Sequence, residues 1–145
     1  MFHSILVPTD GSELARKAVS VAVKLAKQDN ASLLALSVAE PYPYGWVAEA
    51  AAFPEPESYE KQMRTEAETA LRQIELAARE AGVRCELRPA FNTSPANEIV
   101  RTAEDHGCDL IVMASHGRRG LDRLLLGSVT QRVLLQTEIP VLVVR

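Results

Sequence analysis

The run Asp109-Leu110-Ile111-Val112-Met113 constrains the fold more than any other stretch of this chain. It is too short for an ordinary helix and offers no polar face. A central strand buried on both sides accounts for it. Ser4-Ile5-Leu6-Val7 and Ile139-Pro140-Val141-Leu142-Val143-Val144 have a similar character, and segments with helical periodicity separate the strand-like ones. Strand and helix in alternation are the mark of an α/β fold with a parallel sheet covered by helices.

The first helix is expected to carry Ala15, Ala18, Val19, Ala22 and Ala26 on its inner stripe, with residues 31–38 following as the second strand. A helix over 58–81 places Ala67, Leu71, Ile74 and Ala78 on one face, and Gly82 suits the position just past its end. The third strand, near 84–90, alternates Cys85, Leu87 and Pro89 with charged or small residues, and its proline points to the sheet edge. Ser94-Pro95 reads as an N-cap followed by proline at the first helical position, opening a helix with Ile99, Val100 and Ala103 inward and Gly107 at its end. Ser128-Val129-Thr130-Gln131 has the spacing of a capping box. Residues 40–57 hold Pro41, Pro43, Pro54 and Pro56 among Tyr42, Tyr44, Trp46 and Phe53, and read as a long loop acting as a mobile flap.

Composition removes several functions. With 145 residues and 47% hydrophobic content the chain is expected to form one domain. Sixteen basic residues against 19 acidic ones leave a net charge of −3, which argues against a nucleic-acid partner. No apolar stretch approaches the roughly 18 residues of a membrane span, and no export signal is evident, so the expected location is the cytoplasm. Cys85 and Cys108 lack metal-ligand or Cys-x-x-Cys spacing and are expected to be reduced.

In such sheets ligands bind beyond the carboxyl ends of the strands, where neighbouring connections diverge. Pro8-Thr9-Asp10-Gly11-Ser12 and Ala114-Ser115-His116-Gly117-Arg118-Arg119-Gly120 occupy such places. Gly117 and Gly127 permit close backbone approach, and Ser128 opens a helix whose free amides favour an anion. Neither a Gly-Lys-Ser/Thr triplet nor Gly-x-Gly-x-x-Gly occurs.

VPTDGS, DLIVMASHG, and LLLGSVTQRVL followed by IPVLVVR, in this order and at these separations, closely resemble the universal stress protein family. The resemblance implies a Rossmann-like α/β fold with a five-stranded parallel sheet in the order 3-2-1-4-5. In the family's nucleotide-binding members the motif reads Gly-x-x-Gly, nine residues, Gly-Ser/Thr. Gly117, residues 118–126 and Gly127-Ser128 match its second half, while Ala114 replaces the first glycine. By position the resemblance implies that Pro8, Thr9 and Asp10 lie beside the adenosine, that Val38 faces the adenine through its backbone, and that Met113 and Ala114 line the ribose. Gly117, Arg118, Gly127, Ser128, Val129 and Thr130 would surround the triphosphate of ATP or the phosphate of another adenine nucleotide, with His116 in the same loop. Magnesium would bridge phosphate oxygens.

Other readings of these residues stay open. Asp10 could be a base, a metal-associated carboxylate or a turn and cap residue, and its match to the family's position makes a ligand role the expected one. Ser115-His116 has the composition of a nucleophile and base, but adjacent side chains rarely face one another and no nucleophile elbow surrounds them, so a loop role is expected. His3 and His106 are expected to be surface or packing residues. The closing strand, with an unpaired edge, is expected to form a homodimer through Val141–Val144, as the resemblance also implies. The function expected is a stress-response regulator that binds an adenine nucleotide, hydrolyses it slowly or not at all, and serves a signalling partner of unknown identity. The alternatives are a nucleotide-free interaction protein, for which Ala114 argues, and a slow ATPase or self-phosphorylating protein using Ser128 or another loop hydroxyl.

Overall fold

The structure, a computed structural model, describes residues 1–47, 53–118 and 125–145, with the backbone alone at 46 and 47. Five strands, β1 (Ser4–Pro8), β2 (Ser32–Ala39), β3 (Cys85–Phe91), β4 (Leu110–Ala114) and β5 (Val141–Val144), form one parallel sheet in the order β3-β2-β1-β4-β5. The expected sheet and order are therefore present, with β3 and β5 at the edges. Between the strands run α1 (Glu13–Asp29), the short α2 (Tyr44–Val47), α3 (Pro56–Ala81), α4 (Pro95–Asp105) and α5 (Ser128–Gln136).

Two cores hold these layers together. On one face Ile5, Val7, Leu33, Ala35, Leu110 and Val112 pack beneath α1 and α3. On the other, Leu6, Leu34, Leu36, Ile111 and Met113 meet Ile99, Val100 and Ala103 of α4 and Val133 of α5. Period-two alternation along doubly covered strands produces this division. The inner stripes of α1 and α3 are the ones their periodicity predicts, joined by Val23 and Ala70. Alanines dominate both stripes, which lets the helices lie close to the sheet.

Local chemistry sets the helix ends. Ser12 caps α1 by accepting the Ala15 amide at 3.2 Å, and Ser94 caps α4 by accepting the Asn97 amide at 3.4 Å, with Pro95 next as expected. Gly82 closes α3 in the left-handed conformation at φ +74°. Pro89 departs from expectation: Cys85 and Leu87 are half-buried, but Pro89 is exposed and Ala90 packs into the opposite core. The edge assignment holds, while the inward alternation stops one residue short of Pro89.

Of the aromatic segment, residues 48–52 lie outside the described residues. Its flanks are tied together. The ring of Tyr42 meets those of Tyr44, Phe53 and Tyr59 edge-on at centroid distances of 4.7, 5.7 and 5.4 Å. The Tyr42 hydroxyl donates to the Pro54 carbonyl and that of Tyr59 to the Glu40 carbonyl, each at 3.0 Å. Where described, this segment is a strap fastened across the start of α3.

Both cysteines are free. Burial, helped by Glu75, pushes the Cys85 thiol up to about 11, and burial raises Cys108 as well. His3 is exposed beside Asp109, and His106 Nδ1 lies 2.9 Å from the Thr102 carbonyl oxygen. Among the described residues no helix is long and apolar enough to cross a membrane, and no cluster of three His, Cys, Asp or Glu side chains is placed to hold a metal.

Candidate functional site

The carboxyl ends of β1, β2 and β4 meet at one end of the sheet. Thr9 continues β1 by donating its amide to the Leu36 carbonyl at 2.8 Å, which brings Pro8, Thr9 and Asp10 beside the end of β2 and Val38. The chain then turns at Gly11, whose φ of +76° disfavours any side chain. Asp10 fixes this turn from both carboxylate oxygens. Oδ1 accepts the Ser12 amide at 2.9 Å, and Oδ2 accepts the Arg118 amide at 2.8 Å across 108 residues of sequence.

Partial desolvation pushes the Asp10 carboxyl upward. The bonds from Ser12 and from the Arg118 amide, with the nearby charge of the Arg118 guanidinium, outweigh it and hold the group below its ordinary value of 3.8. Both oxygens are engaged and the basicity is reduced, so Asp10 is built as a tie between two loops rather than as a proton acceptor. A depressed carboxylate stabilises the fold above its unfolded pKa and loses that contribution as pH falls through the folded one. We therefore expect the urea midpoint to hold steady from neutral pH to about 5 and to fall below about 4. Asp10→Asn should show a shallower fall, and an identical acid limb in the variant would remove Asp10 from this role.

At the end of β4, Ala114 is half-buried, packs on the α1 face and has no positive φ. Its methyl is accommodated without backbone strain. Its carbonyl accepts the Thr130 hydroxyl at 2.9 Å, and Thr130 is 2% exposed, so this hydroxyl is spent on holding α5 against β4. Met113 is 4% exposed and its side chain belongs to the core, leaving only its backbone for a ligand. Ser115 and His116 depart from the sequence reading: Ser115 Oγ lies 3.0 Å from His116 Nδ1, with Ser115 buried. The sharp exit from β4 turns both side chains to one side, which extended backbone would not do.

The Gly127 amide donates to the Ser115 carbonyl at 2.7 Å. A Cβ at residue 127 would stand 2.9 Å from His116 Cα and 3.2 Å from the Ser115 oxygen, so glycine alone fits without a backbone shift. This contact overturns the expected capping box. Gly127, not Ser128, occupies the N-cap and has no side chain to cap with, no other described side chain caps α5, and the Gln131 side chain instead donates to the Leu126 carbonyl. The early amides of α5 at Ser128, Val129 and Thr130 therefore begin the helix without a capping side chain among the described residues. Ser128 is exposed, Val129 half-buried.

The exposed Gly117 lies against Asp10: a Cβ there would sit 2.5 Å from Oδ2. Arg119 and Gly120 lie outside the described residues. Arg118 sends its side chain over Gly11 to α3, where Nη1 is 3.5 Å from Glu66 Oε2. Two cavities border these loops on the α3 side. One of about 180 Å³ is lined by Gly11, Thr65, Glu66, Thr69, Gln73 and Arg118, and one of about 420 Å³ runs between α1 and α3 past Thr9, Arg16 and Lys24. The sequence reading missed Glu66 and its polar neighbours. Thr65, Thr69 and Gln73 recur every four residues on α3, a signal indistinguishable from an ordinary solvated face.

The sequence profile of the universal stress protein family matches residues 1–145. This chain belongs to that family. It is 37% identical to the universal stress protein MJ0531 of Methanocaldococcus jannaschii over all of its own length and 83% of that protein's. Its universal stress protein fold superposes on the solved structure of MJ0577 with a TM-score of 0.82 at 31% identity, covering 99% of this chain and 96% of that one. A universal stress protein solved in complex with cAMP matches with a TM-score of 0.70 at 27% identity, over 99% and 97% of the two chains.

Proposed function

We propose that this universal stress protein is a regulatory protein that binds ATP or another adenine nucleotide across the ends of β1, β2 and β4. The observation that carries the reading is the approach of Gly127 to His116, which presents the uncapped start of α5 beside the Asp10–Arg118 tie. Early helix amides that no described side chain caps, together with the helix dipole, favour a phosphate there. The adenosine would lie toward Pro8, Thr9 and Val38, the ribose against the backbone of Met113 and Ala114. The related protein solved with cAMP supports a nucleotide of this class.

Asp10 already accepts two amides, so magnesium would be held by phosphate oxygens and water. Such an ion would neutralise phosphate charge. Hydrolysis would be slow or incidental, because Asp10 is poorly suited to take a proton from water. We further propose that the protein works in the cytoplasm, signals to a partner, and dimerises through Val141–Val144. That strand lies at the sheet edge with Leu142 38% exposed. Sedimentation at the 15.9 kDa of one chain would remove the dimer.

The test is mass spectrometry of small molecules released on denaturation, from the wild type and from Ser128→Glu. Ser128 is exposed at the first helical position, so glutamate suits the helix while placing a carboxylate where phosphate would sit. The wild type should release an adenine nucleotide, the variant about tenfold less at an unchanged melting temperature. If neither releases any and added ATP, AMP and cAMP leave the wild-type melting temperature unmoved, a nucleotide-free interaction protein replaces this reading.

A further inference from the structure

The Glu66 carboxylate on α3 is gripped from two sides. Gln62 Nε2 donates to Oε1 at 3.1 Å, and Arg118 Nη1 stands 3.5 Å from Oε2. Arg118 reaches it by crossing Gly11, where a Cβ would lie 3.0 Å from Nη2. Thr65 and Thr69 in the same cavity donate their hydroxyls to the Lys61 and Thr65 carbonyls of their own helix. Glu66 and Arg118 are then the only charged side chains among the described residues lining that cavity.

The guanidinium that would meet a phosphate tail is thus turned toward α3 and partly neutralised. We propose that Glu66 is a specificity-determining residue that biases the site toward adenine nucleotides with one phosphate over those with three. This rests on the nucleotide reading above. A single phosphate is served by the amides of α5. A longer tail that continues toward Arg118 must draw the guanidinium from Glu66 and bring further negative charge beside its carboxylate. Both effects act against the triphosphate, and both are softened by salt because the pair is half exposed.

Calorimetric titration with AMP and with ATP, magnesium omitted so that phosphate charge is unmasked, separates the outcomes. Glu66→Gln is nearly isosteric and keeps an acceptor for Gln62. Glu68→Gln makes the same charge change at an exposed position of α3 that does not line the cavity. We expect Glu66→Gln to tighten ATP by about two- to fivefold at low ionic strength, to leave AMP nearly unchanged, and to lose the gain at high ionic strength. Glu68→Gln should alter neither. Equal gains for ATP and AMP, equal gains in the two variants, or no gain would overturn the role of Glu66 and leave nucleotide binding standing. Absence of binding in all three proteins would overturn the nucleotide reading and this inference together.

Discussion

Gly127→Ala should melt about 3–12 °C below the wild type and lose most of the proposed nucleotide binding. The added methyl would meet His116 Cα at 2.9 Å, His116 Cβ at 3.1 Å and the Ser115 oxygen at 3.2 Å. Two of these belong to backbone, so relief requires moving either the exit of β4 or the start of α5. Overpacking of this kind costs about 1–3 kcal/mol, and each kcal/mol shifts the melting temperature of a domain this size by about 3–4 °C. The start of α5 moves with it, carrying the proposed phosphate amides. Gly117→Ala provides the contrast. Its methyl would meet a carboxylate oxygen of Asp10, which can swing away at the expense of the Arg118 amide bond. That variant should weaken the proposed nucleotide binding with a smaller fall in melting than Gly127→Ala. Equal melting losses in the two variants would show that the approach at Gly127 is not the tighter constraint.

Ile111→Ala should have the largest effect on stability. Ile111 is fully buried and lies between Leu6 of β1 and Val141 of β5, facing the α4–α5 core. Removing three carbons there forfeits their transfer energy and leaves a cavity that rigid neighbours fill poorly, at about 2–5 kcal/mol. Against a total stability of about 5–15 kcal/mol this is a major fraction. Urea unfolding should show the loss as a lower midpoint with an unchanged slope. A loss under about 1 kcal/mol would contradict the burial of β4 on both faces.

The features legible in the sequence are those whose signal is local. DLIVM announces a doubly covered strand, the alanines of α1 and α3 recur at the period of a helix, and Ser94-Pro95 is a helix start written in adjacent residues. Where tertiary contact decides, local rules failed. Ser128 has the right neighbours for a capping box, yet the bond from Gly127 to Ser115 fixes the turn one residue earlier. Ser115 and His116 face one another because β4 ends in a tight bend. Glu66 becomes part of the site only because α3 lies beside Gly11, a relation between positions 55 residues apart that no periodicity encodes.

The pairing of β1 with β4 has a consequence for biosynthesis. Ser4 and Asp109 are joined by the bonds that seat the two strands, at a separation of 105 residues. A ribosome that has released β1, α1, β2 and α3 has produced a strand with one flank still open, and that flank stays bare until β4 emerges. Closing so long a loop is slow, and an open apolar strand is prone to wrong pairing during the wait. The Asp10–Arg118 tie forms only after this closure. A ligand bridging the two loops would therefore find its site only on chains whose translation had already passed β4.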